Sequence, residues 1–211
     1  MKYLIDTSPR KMQTLAGREL VAGQLCTPLT NYRNWGGTFA IDNGAFSGLN
    51  RTAWFRLLEK HLPLLDDCQF VTIPDIVGNC KRTLELFDVI TQDARTHPYR
   101  DRWSFVMQDG IEDTRIQWNR IPHIFIGGTD AFKDSQACYD IVKTAKALAI
   151  PVHVGRVNQI KRFRTYHELG ADTCDGSSIA MYDYKLRDIE AAMTNPVPTT
   201  PLFESLANDR S

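Results

Sequence analysis

A short apolar run ending in a polar or glycine residue recurs along this chain, and most such runs lead into a stretch of helical periodicity. Residues 3–5 end at Asp6, 38–41 at Asp42, 69–73 at Pro74-Asp75 and 103–107 at Gln108. Residues 123–126 end at Gly127-Gly128, 151–154 at Gly155-Arg156, and 173–174 at Asp175. A weaker run spans 23–28, for eight in all. Strands that alternate with helices predict parallel β/α units. The runs are short and apolar throughout, as strands covered on both faces are. The expected fold is α/β, a compact (β/α)8 TIM-type barrel, with a doubly wound open sheet as the alternative.

The helical stretches are read from spacing and caps. One is expected over 11–20. A second runs from a Thr52 cap to Pro63, with Trp54, Leu57, Leu58 and His61 on one face. Others are expected over about 80–94 (Leu84, Phe87, Ile90) and 135–149 (Ile141, Ala145, Leu148). The helix over 159–169 stops at Gly170, a residue suited to a helix C-terminus. A short helix is expected between the 103–107 and 123–126 strands, and a final one to about residue 193. Residues 1–194 make one domain in this reading. The tail, 195–211, holds three prolines between 195 and 201 and no periodicity.

Composition sets outer limits. The chain has 211 residues, of which 43% are hydrophobic, enough for one well-buried core. Its 25 basic and 25 acidic side chains balance, which neither points to nucleic acid nor excludes it. Five scattered cysteines form no CxxC pair, so neither a zinc site nor a disulfide framework is indicated. Reduced thiols, an N-terminus without an apolar signal region and the lack of any membrane-length apolar run predict a cytoplasmic protein that does not contact a membrane.

In a barrel, the residues just beyond the strand ends share one rim however far apart they lie in sequence. Taken singly, each has an ordinary explanation. Asp42-Asn43-Gly44 is a turn sequence, Asp175-Gly176-Ser177-Ser178 suits a helix cap, and Gly127-Gly128 suits a tight turn. Together, Asp42, Asp75, Asp175, the Gln108 amide and the Gly127-Gly128 backbone suit recognition of a flat heterocycle. Carboxylates accept from its amino and ring N–H groups, while the amide and backbone N–H groups donate to its carbonyl. Phe46 offers a stacking face, or else is a core aromatic beneath the loop.

These motifs, in this order, resemble those of the tRNA-guanine transglycosylase superfamily. Asp42-Asn43-Gly44-Ala45-Phe46 is similar to the family's Asp-Ser-Gly-Gly-aromatic segment. Asp75 follows its strand as the family's base-binding aspartate does, and Val106-Met107-Gln108-Asp109-Gly110 resembles Val-Gln-Gly. Ile126-Gly127-Gly128 matches Ile-Gly-Gly, and Val154-Gly155-Arg156 is a loose counterpart of Met-Gly-Val-Gly. Gly170-Ala171-Asp172-Thr173-Cys174-Asp175-Gly176 resembles the segment that carries the nucleophile. The resemblance covers about residues 38–178. The family's tRNA enzymes have a C-terminal Cys/His zinc site and are far longer. In lacking both features, this chain most resembles the short DNA 7-deazaguanine transglycosylases of phages and bacterial DNA-modification islands.

The resemblance implies a pentosyltransferase that replaces guanine, in DNA more than in tRNA, by a 7-deazaguanine. Asp175 is the implied nucleophile and Asp42 the implied acid and base. Phe46, Asp75, Gln108, Gly127 and Gly128 hold the base, and no metal or cofactor takes part. Arg156, Lys161 and Arg162, with Lys185 and Arg187 further on, are the candidates for phosphate contact. The run 161–164 also reads as a solvated helix face. Two other activities fit the same residues: hydrolysis of a glycosidic bond by the two aspartates, and nucleic-acid binding without catalysis.

Overall fold

The computed structural model describes residues 1–30 and 32–194. Eight strands close in sequence order into an all-parallel barrel. They are β1 (Lys2–Ile5), β2 (Val21–Cys26), β3 (Phe39–Ile41), β4 (Cys68–Thr72), β5 (Trp103–Met107), β6 (His123–Ile126), β7 (Val152–Val154) and β8 (Thr173–Cys174). The last closes on the first through Lys2↔Thr173 and Tyr3↔Cys174. This is the (β/α)8 TIM-type barrel, and it rules out the open sheet. The expected tail over 195–211 lies outside the described residues.

Helices pack outside the strands: α1 (Pro9–Leu15), α2 (Arg51–His61), α3 (Cys80–Ile90), α4 (Asp130–Lys133), α5 (Gln136–Ala147), α6 (Ile160–Glu168), α7 (Ser177–Met181) and α8 (Asp183–Thr194). Several boundaries depart from expectation. The first helix ends at Leu15 rather than residue 20, because Gly17 turns the chain at φ +88°. Asn50, not Thr52, caps α2: its side chain accepts from Ala53 N at 3.0 Å. Leu148 is 52% exposed and does not join the face of Ile141 and Ala145. Between β5 and β6 the chain makes two 3-10 turns, Ile111–Asp113 and Trp118–Arg120, in place of a helix. The final helix is two, broken at Tyr182.

Side chains two apart on a strand share a face. The inward set therefore includes Leu4, Leu25, Ala40 and Phe70, with Phe125 packed against them. The rings of His123 and His153 stand 4.2 and 4.9 Å from Phe70, and His153 stands 4.7 Å from Phe125. The barrel interior is thus a packed column, closed as a pore. The outward set, with Phe39, Trp54, Tyr99 and Phe163, forms the larger core beneath the helices.

Strand β2 needs its glycine. Gly23 sits at φ +154°, where the β1–β2 register shifts, and a Cβ there would drive into the Thr38 carbonyl. Gly23→Ala is expected to destabilise the fold by about 1–3 kcal/mol, read as a lower urea midpoint. An unchanged midpoint would mean that β2 and β3 approach less closely than described here.

Candidate active site

The carboxyl ends of the strands open into a cleft of about 540 Å³, its open mouth included. Asp42, Asp75 and Asp175 line it with Phe46, Gly127, Gly128 and Arg156. An adjoining cleft of about 570 Å³ shares Leu25, Asp42, Phe46 and Asp175, and reaches Asp6 and Ser177. Four of the strand ends thus bring a carboxylate to one mouth.

Asp175 is held from two sides. Arg156 N donates to its Oδ1 at 3.1 Å, and His153 Nε2 lies 3.0 Å from its Oδ2. A carboxylate oxygen accepts, so Nε2 carries the proton, and in the neutral ring Nδ1 accepts from the Thr173 hydroxyl at 2.9 Å. The register makes this possible, since His153 lies opposite Thr173 and Asp175 is two residues further along the same inward face.

Asp42 follows β3 in a turn made by Gly44 at φ +71°, and its Oδ2 accepts from Gly44 N at 3.1 Å. Burial, helped by the neighbouring Asp175 charge and only partly opposed by the Gly44 N–H, pushes its carboxyl up to about 7. Such a group both gives and takes a proton near neutral pH. Asp75 is also pushed up by burial, against the donors Asn43 Nδ2 at 2.8 Å and Gln108 Nε2 at 3.3 Å. Burial raises Asp6 too, even though Thr30 donates to it at 3.0 Å.

Several expected contacts are rearranged. Gln108 is fully buried and does not line the cleft: its Oε1 accepts from Gly78 N at 2.7 Å, and its Nε2 donates to Thr83 and Asp75. It is a positioning residue for Asp75, with no part of its amide left for a base edge. The Gly127 N–H is taken by the Met107 carbonyl at 2.9 Å, so this residue contributes wall and no donor. Gly128, at φ +71°, leaves no room for a side chain, because a Cβ would lie 2.5 Å from Asp109 Oδ2. Phe46 is 65% exposed, which removes it from the core, and the Arg156 guanidinium lies over its ring at 3.9 Å. Arg156 also donates to Gly128 O at 2.7 Å, from a left-handed backbone (φ +60°) unusual for a non-glycine residue.

The phosphate-contact set divides. Lys161 is exposed on α6. Arg162 is bound to Asp130 at 2.9 Å and Asp134 at 2.8 Å, so it ties α6 to the α4 region instead of facing a ligand. Four residues escaped the sequence reading of the site: Asn43, Thr72, Lys133 and His153. Asn43 spans the rim, donating to Ile73 O at 2.9 Å as well as to Asp75. For His153 the available signal was a polar residue between two valines; Lys133, in Asp130-Ala131-Phe132-Lys133, offered none.

Among the described residues, no group of three or more His, Cys, Asp or Glu is placed to hold a metal ion, and no helix is long and apolar enough to cross a membrane. No protein-family model matches the chain, and no curated protein matches its sequence.

Proposed function

We propose that the protein exchanges guanine in a nucleic acid, DNA before tRNA, for a free 7-deazaguanine base through a covalent aspartyl-glycosyl intermediate. The observation that carries this reading is the pair Asp42 and Asp175 in one cleft: the first is poised to trade a proton near neutral pH, the second is held by two hydrogen bonds. The Asp175 carboxylate attacks C1′, the C1′–N9 bond breaks, and Asp42 protonates the departing guanine. The incoming base then attacks C1′, Asp175 leaves as carboxylate, and Asp42 takes the ring proton. Two displacements retain the anomeric configuration. Asp75 accepts from the amino edge of the base, the Gly128 backbone lies along the ring, and Phe46 stacks on it. No metal or cofactor enters this scheme.

A target base must leave the duplex stack, which costs a few kcal/mol. Arg156 and Lys161 are the basic side chains assigned to offset that cost through phosphate contacts. Incubation with guanine-containing DNA or tRNA and labelled guanine tests the reading, and label is expected to enter DNA. Free guanine released without incorporation supports hydrolysis instead. Silence in both assays supports binding without catalysis.

A further inference from the structure

Lys133 is a charged side chain that the scheme above does not use. It ends the short helix α4, whose start is fixed by Asp109: the Asp109 carboxylate accepts from Thr129 N at 2.9 Å and from the Thr129 hydroxyl. Lys133 is 0% exposed and lines the cleft. Its ammonium has three donors but makes one hydrogen bond among the described residues, to Gly155 O at 2.7 Å. Among the described residues no carboxylate stands within ion-pair distance of it. Its neighbours Asp130 and Asp134 are paired with Arg162. Burial, with the nearby Arg156 charge and only partly opposed by the Asp175 carboxylate, pushes the ammonium down to about 8, so it is still mostly protonated at neutral pH.

A buried charge that the protein leaves uncompensated is costly. Two further features of the cleft bear on what compensates it. The Thr72 hydroxyl, 1% exposed, also lines the cleft and has no hydrogen-bond partner among the described residues. The cleft is also lined by Gly127, Gly128 and Gly155, which add no side chains to that wall beside Val106 and Phe125. Asp75 follows β4, while Lys133 reaches Gly155 beyond β7, across the barrel. A flat ring whose amino edge meets Asp75 therefore turns its other edge toward the ammonium.

We propose that Lys133 Nζ binds an anionic oxygen substituent, a carboxylate, on the incoming base, so that the cleft prefers a carboxylated deazapurine to guanine itself. This rests on the base-exchange reading. A nucleic-acid phosphate offers the same chemistry, but Lys133 lies wholly below the surface, whereas Lys161 stands exposed on α6.

Calorimetric titration of the full chain and of Lys133→Met with 7-carboxy-7-deazaguanine, guanine and dGMP separates the cases. The wild type is expected to bind the carboxylated base at least about tenfold more tightly than guanine, a difference of about 1.4 kcal/mol. Lys133→Met is expected to lose that preference and keep its affinity for guanine, which also shows that the variant is folded. Replacing a buried charge by an apolar side chain of similar size is often neutral or stabilising. Equal binding of the two bases by the wild type, or a preference that survives in Lys133→Met, overturns the role of Lys133 and leaves base exchange standing. A tenfold loss confined to dGMP assigns the ammonium to phosphate and overturns the proposal. Failure of the wild type to bind either base overturns the base-exchange reading, and this inference with it.

Discussion

Asp175→Asn is expected to lower incorporation of labelled guanine into DNA by about 10⁴-fold or more, the scale of losing a nucleophile. The amide has nearly the shape of the carboxylate but is a poor nucleophile toward C1′. It also disturbs its supports. Asp175 accepts from both His153 Nε2 and Arg156 N, whereas an amide has one oxygen and must turn a donor toward one of them. Mass spectrometry of the denatured protein after incubation with DNA gives a second readout: the wild type is expected to carry a covalent DNA adduct that the variant lacks. Incorporation at the wild-type rate in Asp175→Asn would remove this residue from the nucleophile's role.

Asp42→Asn is expected to act in two directions. The exchange rate should peak near pH 7 in the wild type, because Asp42, at about 7, must be protonated to release guanine and ionised to accept the incoming base. The variant should lose about 10²–10⁴-fold in rate and both limbs of that profile. Stability moves the other way. An aspartate titrates near 3.9 in an unfolded chain, so between about pH 4 and 7 the folded protein binds more protons than the unfolded one. Stability from this group is therefore full below pH 4 and is lost as pH rises toward 7. Above pH 7 the half-buried carboxylate is a standing cost of about 1–3 kcal/mol. Urea unfolding at pH 8 should find Asp42→Asn more stable than the wild type, with the gap closing by pH 4. Equal stability at both pH values would mean that Asp42 is better solvated than its burial indicates. A loss of activity paired with a gain in stability marks a functional strain.

Alternation and strand ends made the barrel legible in the sequence, because a covered parallel strand is apolar on both faces and most of these strands lead into a helix. The rim acids were legible for the same reason: a charged residue directly after such a strand has only the carboxyl end of the barrel to occupy. What the sequence hid depends on neighbours far along the chain. His153 reads as an oddity between two valines until β8 brings Asp175 alongside. Gln108 reads as a ligand-seeking amide until Gly78, Thr83 and Asp75 take up its donors and acceptor. Arg162 reads as part of a basic run until α4 supplies its two acids. The Asn50–Thr52 ambiguity is local, since both residue types cap helices, and the Ala53 N–H decides it.

Arg156 lies over the Phe46 ring, on which a base is proposed to stack. Stacking on that covered face is then a substitution: one flat partner leaves the ring as another arrives. The free-energy gain is the difference between a base–aromatic stack of about 1–3 kcal/mol and an exposed cation–π contact of about 0.5–1 kcal/mol. A free base on its own is therefore held weakly at this ring. A nucleotide within a strand brings a phosphate that can receive the displaced guanidinium. The resting contact thus favours a base still attached to its chain over one loose in solution, and it does so without reading any sequence.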